Sequence, residues 1–216
     1  MNNEESIFIY KEWVKFEDYQ FKVLVLASVL AENKLGFRGT LGDICEWLGI
    51  QNASKNTKAI KEAIAELHKK GYIFYNKEGR THHISITNKG LKDKHIVNIK
   101  KHYIKTLKEY NIAKNGKVNR SWDTMLKVLV VILNELEEAK REIGENEGIT
   151  IPMWYIADAI GRCEATAGKY LQELTKVKFE DGLRIRKKVE RHYNAKGEVR
   201  CNGTHIEQYK VEFEAE

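Results

Sequence analysis

The feature that most constrains the fold is a pattern that occurs twice. In the first half, Phe16, Tyr19, Val23, Ala27 and Leu30 recur at helical spacing behind Glu17-Asp18, an acidic pair that suits a helix N-terminus. A stop follows from Lys34 to Gly39. Thr40 then reads as the N-cap of a brief helix carrying Leu41, Ile44 and Leu48, ended by Gly49. Polar residues from Gln51 to Asn56 make a turn. Ser54 or a neighbour caps a longer helix with Ile60, Ile64 and Leu67 on one face, and Gly71 suits its C′ position. Tyr72 to Tyr75 and His83 to Thr87 are β-prone runs around the turn Asn76 to Arg80, which predicts a hairpin.

The second half repeats the order. Trp122, Leu126, Leu129, Leu133 and Leu136 form a helix stripe, broken from Glu145 to Gly148. Pro152 starts a short helix with Ile156 and Ile160 inward, and Gly161-Arg162-Cys163 is the turn. Ala167, Leu171 and Leu174 mark a third helix. A hairpin follows, from Leu183 to His192, over the tip Asn194 to Gly197, and back to Phe213. Thus Ile44, Leu48 and Gly49 correspond to Ile156, Ile160 and Gly161.

Between the copies, Ile96, Ile99, Tyr103, Leu107 and Tyr110 are spaced three or four apart, with Lys94, Lys101, Lys105 and Lys108 on another face. This predicts a basic amphipathic helix, although His95 to Ile99 also suits a strand. Asn111 to Asn119 is the expected hinge. The expected division is residues 1–88 as a first unit, 89–119 as basic helix and hinge, and 120–216 as a second unit.

Charge is concentrated rather than spread. The formal net charge is +6, and residues 89–120 hold ten Lys/Arg against two Asp/Glu. A second basic block runs from Leu183 to Arg200, with seven Lys/Arg against two Glu. Clustered positive charge favours a polyanionic partner. The 216 residues contain no long apolar run, and the polar, acidic start does not look like a signal peptide. Cys45, Cys163 and Cys201 are far apart and odd in number, so a reducing cytoplasm is expected, with a place at the nucleoid if the polyanion is DNA.

The string from Thr40 to Gly49, and that from Glu66 to Ile73 with its leucine, polar residues, glycine, aromatic and isoleucine, resembles a winged-helix domain, the helix-turn-helix variant with a hairpin wing. In the second copy, Met153 to Gly161 and Ala165 to Leu174 are similar, but no glycine-aromatic ending follows Leu174. The resemblance implies an α+β fold, mainly α, with two winged-helix domains joined by a basic linker helix. Tandem winged helices resemble plasmid and phage replication initiators and some transcription regulators.

In a helix-turn-helix the third helix enters the major groove with its N-terminal residues at base edges. Here that helix offers Ser54, Lys55, Asn56, Thr57 and Lys58. Lysine and asparagine suit guanine and adenine edges, and threonine a thymine methyl. The first hairpin adds Lys77 and Arg80, and the middle helix Lys101, Lys105 and Lys108. The second copy offers Thr166 and Lys169 on its third helix, and Arg184, Arg186, Lys188, Lys196 and Arg200 on its wing.

No catalytic constellation is legible, so no enzyme, cofactor or metal is expected. His82-His83 is adjacent, which points its side chains to opposite sides of a strand, and reads as wing surface. Cys45 and Cys163 read as buried small residues, and Trp13, Trp47, Trp122 and Trp154 as packed in or beside the cores. The expected function is sequence-specific binding of double-stranded DNA, in transcription regulation or replication control of a bacterium or mobile element. A replication initiator is an alternative. So is a winged-helix protein-interaction adaptor, with a homodimer seam at Ile96, Ile99, Tyr103 and Leu107. Glu135, Glu138 and Glu142 form an acidic face suited to a protein partner.

Overall fold

In the computed structural model, two helices are covered on almost every side and the other elements pack around them. The structure describes residues 6–30, 36–87, 96–110, 118–119, 121–143, 149–193 and 199–210, and for 141–143, 188–193 and 199–210 the backbone alone. Helix α1 (Asp18–Leu30) is buried without a break from Gln20 to Ala27. Helix α5 (Trp122–Ile143) is buried from Trp122 to Asn134. The one-sided stripes expected of both helices are therefore too narrow, because a helix apolar all round belongs at the centre of a protein.

Around α1 the chain adds β2 (Phe37–Gly39), α2 (Leu41–Leu48), α3 (Ser54–Lys69), β3 (Ile73–Glu78) and β4 (Thr81–Ile86). The three strands form an antiparallel sheet of order β2-β4-β3. After α5 come β6 (Ile149–Ile151), α6 (Met153–Ala159), α7 (Glu164–Leu174), β7 (Leu183–Tyr193) and β8 (Val199–Lys210), with sheet order β6-β8-β7. The same succession of elements and the same strand order recur. Each sheet gains a short third strand, β2 or β6, where the sequence suggests only a break. The result is an α+β fold, mostly helical, with small antiparallel sheets.

The remaining elements tie the two arrangements together. Strand β1 (Ser6–Tyr10) pairs antiparallel with β5 (Ile96–Lys100), from Ser6 opposite Lys100 to Tyr10 opposite Ile96. A 3-10 turn, Lys11–Lys15, follows β1, and α4 (Lys101–Glu109) follows β5. The middle segment is thus strand then helix, with Val97 and Ile99 inward and Ile96 and Asn98 outward, which is the period of a strand. Val97, Ile99, Tyr103, Ile104 and Leu107 are all buried. The expected dimer seam is corrected accordingly: Ile99, Tyr103 and Leu107 lie inside this chain's own core, and only Ile96 of the four is exposed. Most of the expected hinge, residues 111–117, lies outside the described residues. Asn119 is buried and donates to the Leu107 carbonyl at 3.1 Å.

Local signals explain the helix ends. Thr40 and Asp43 form a reciprocal capping box on α2, and Gly49 closes it in the left-handed region at φ 69°. Gly71 at φ 76° stands one residue beyond the α3 C-cap. The α3 N-cap is Ala53, which has no capping side chain, so Ser54 is the first helical residue rather than the cap. Pro152 is likewise the N-cap of α6 and not its first turn. The first hairpin turns over two residues, Gly79 and Arg80, with Glu78 opposite Thr81, so it is tighter than the five-residue turn expected.

Candidate nucleic-acid interface

Helix α3 buries Ile60, Ala63, Ile64 and Leu67 and packs on α1. That stripe forces its other face outward. Ser54, Lys55 and Lys58 are exposed, and Asn56 and Thr57 are half-exposed. Lys58 lies 3.9 Å from Glu62 one turn later, but both are largely in solvent, where such a pair holds the ammonium weakly. Lys55 and Lys58 are thus cations at the start of a helix whose first N–H groups have no side-chain cap, a combination that suits phosphate.

Asn56 and Thr57 do other work. The Asn56 amide donates to the Gln51 carbonyl at 2.8 Å, and its oxygen accepts from the Tyr19 hydroxyl at 3.1 Å. Asn56 therefore ties the α2–α3 turn to α1. The Thr57 hydroxyl donates to the Ser54 carbonyl at 3.0 Å. These bonds orient both side chains, and they leave Asn56 a second amide hydrogen and Thr57 its methyl.

In the first hairpin Lys77 and Arg80 are exposed at and beside the tip. His83 is half-exposed, 3.6 Å from Glu78. His82 is not wing surface: it is buried, stacks on Tyr75, and shares a 2.9 Å hydrogen bond with that hydroxyl. Burial, helped by Lys77 and Lys61, lowers the His82 pKa and keeps the ring neutral at pH 7.

Along the middle helix the three lysines differ. Lys101 is half-exposed, and Lys105 is exposed and 3.7 Å from Glu180. Lys108 is half-buried. Its ammonium sits 3.2 Å above the Trp47 ring and 5.2 Å from that of Trp122, and donates to the Trp47 carbonyl. Desolvation there pushes its pKa down to about 7. The helical spacing of Lys101, Lys105 and Lys108 gave no warning that α2 would set Trp47 against one of them.

In the second arrangement, Lys169 is exposed on α7 and Thr166 is half-exposed, its hydroxyl 3.2 Å from the Cys163 sulfur. Cys163 is exposed rather than buried, and only Cys45 has the packed position expected of both. On β7, Leu183 and Ile185 are buried while Arg184 is half-exposed and Arg186 exposed. That is the alternation expected of a strand with one covered face. Lys188 pairs in register with His205 and Arg200 lies in β8; for both the backbone alone is described. Lys196 lies outside the described residues.

Two further expectations are corrected. Glu135 is not a free acidic face: it accepts from Lys11 at 2.7 Å and from the Tyr155 hydroxyl at 2.8 Å. Those partners hold its carboxyl below the usual range against the effect of burial. Glu138 accepts from Asn134 at 3.0 Å, and the side chain of Glu142 is outside the description. Trp154 is 61 % exposed on α6, whereas Trp13 and Trp122 are fully buried and Trp47 half-buried.

Among the described residues, no group of three or more His, Cys, Asp or Glu is placed to hold a metal ion. No described helix is long and apolar enough to cross a membrane. The geometry defines a mostly helical α+β protein with exposed cations on α3, on the first hairpin and on β7. Compared with known protein families the sequence matches no family model, and a comparison with curated proteins finds no relative.

Proposed function

We propose that this chain is a sequence-specific double-stranded DNA-binding protein built from two winged-helix units, acting in transcription regulation or replication control. The observation that carries the reading is a pairing of topology with charge. The succession helix, strand, helix, helix, hairpin occurs twice with the same strand order, which supports the winged-helix reading. In the first copy the third helix turns Lys55 and Lys58 outward, and the hairpin behind it ends in Lys77 and Arg80. In the second, Lys169 and the outward face of β7 carry the cations. In this reading α3 enters a major groove, Lys55 and Lys58 meet bases or flanking phosphates, and the hairpins hold adjacent backbone.

The test is a mobility shift on random-sequence duplex across a salt series, followed by selection from a random library. Affinity should fall steeply with salt, since each phosphate contact contributes about −0.9 to the log–log slope. A flat salt dependence, or no enriched sequence, defeats the proposal. Direct repeats among selected sites would assign replication initiation, and a palindrome would assign transcription regulation.

A further inference from the structure

A cavity of about 550 Å³ opens between α2 and α4, within the size range of small-molecule sites. Val29, Trp47, Ile104 and Val118 give it apolar walls, and Lys108 reaches it from α4. Among the described residues, the other charged groups lining it are Glu46 on α2 and Lys101, Lys105 and Glu109 on α4. Those four balance in formal charge, which leaves Lys108 as the cation in excess among the described lining residues. Burial lowers the Lys108 pKa, and among the described residues its partners are the Trp47 carbonyl and the Trp47 and Trp122 rings, with no carboxylate in an ion pair. Lys108 is half-buried, and an anion that meets a partly desolvated ammonium without a counter-ion gains more than it would in bulk water.

We propose that this cavity is a binding site for a small monocarboxylate with an apolar body, whose carboxylate pairs with Lys108 while the body lies against Ile104, Val29 and Val118. A phosphate suits the site poorly. It needs several donors, and Glu46 and Glu109 would repel a second negative charge. The site is independent of DNA binding and stands or falls separately from it.

Calorimetry with 1-naphthoate and its uncharged counterpart 1-naphthylmethanol tests the site. Naphthoate should bind at least tenfold more tightly. At pH 8 an amine with a pKa of about 7 is mostly neutral, so binding should take up close to one proton, read from heats in two buffers of different ionisation enthalpy. Lys108→Met should abolish both the preference and the proton uptake. Ile104→Trp, which fills the cavity and keeps Lys108, should abolish binding. Equal affinity for the two compounds, no proton uptake by the unaltered protein, or no binding of naphthoate overturns the proposal without needing either variant to fold.

Discussion

Lys22 of α1 and Asp123 of α5 meet 3.4 Å apart with almost no access to water. They join the two central helices at their contact. Asp18, one turn earlier on α1, takes Lys127 of α5 at 3.1 Å and the guanidinium of Arg162 in the α6–α7 turn. Lys127 also donates to the Phe16 carbonyl at 2.7 Å. Asp18 is held below the usual carboxylate range by Lys127 and Arg162 despite burial. Asp123 is pushed up, because its desolvation outweighs the attraction of Lys22.

Breaking the Lys22–Asp123 pair from one side should be far worse than removing both charges. Lys22→Met leaves a buried carboxylate without its ion-pair partner and should cost about 3–5 kcal/mol in urea unfolding at pH 7, whereas Lys22→Met with Asp123→Leu should recover most of it. A raised folded pKa adds stability below the unfolded value that is lost as pH rises through the folded one. The single variant should therefore regain stability on mild acidification, as Asp123 takes up a proton. Equal losses in the single and double variants would show that the two charges are not coupled.

Asp181, just before β7, has the opposite sign. It accepts from Lys100 at 2.7 Å, from the Tyr103 hydroxyl at 2.9 Å and from the Leu183 amide at 3.1 Å, and its pKa is lowered to about 2. Its stabilisation is present above the unfolded value of 3.8 and is lost as pH falls toward about 2. Asp181→Asn should destabilise by on the order of 2 kcal/mol at pH 7, and the difference from the parent should vanish near pH 2. Denaturant midpoints across pH 2–7 measure it.

The ends of α2 give a local prediction. Thr40 accepts from the Asp43 amide at 3.2 Å and its own amide donates back at 2.6 Å, so Thr40→Ala should cost about 1 kcal/mol. Gly49→Ala should cost about 2 kcal/mol. Its φ of +69° strains any L side chain, and the added Cβ would overlap Val118. Thermal unfolding ranks the two.

For DNA binding, Lys55→Ala with Lys58→Ala should weaken binding and lower the salt slope by up to about 2, while leaving folding unchanged. Asn56→Ala should instead lower stability by about 1 kcal/mol, because its amide holds the Gln51 carbonyl and the Tyr19 hydroxyl. A change in base preference without loss of stability in Asn56→Ala would return that residue to the recognition surface. An adaptor protein would be indifferent to the lysine pair.

Much of the local structure was legible from residue order. Thr40, Gly49, Gly71 and Gly161 punctuate the helices where the chain predicts, since caps and left-handed turns depend on neighbours within a few residues. The inward faces of α3 and α7 follow from the spacing of Ile60, Ile64 and Leu67 and of Ala167, Leu171 and Leu174. The strands β1, β2 and β6 were not legible. They are short, and their partners lie tens of residues away, so pairing creates them rather than local preference.

Sequence alone determined the repeated succession of helices and hairpins and the outward cations of α3 and β7, because periodicity assigns a face without reference to a partner. Only the tertiary structure decided which charges stay in water. Lys101, Lys105 and Lys108 look alike along one helix, yet only the last has its ammonium set against the rings of Trp47 and Trp122, among the described residues. Lys22 and Lys127 look like ordinary surface lysines and lie between two central helices. Burial of a charge depends on what packs against its helix from far along the chain, and the period of the helix does not contain that information.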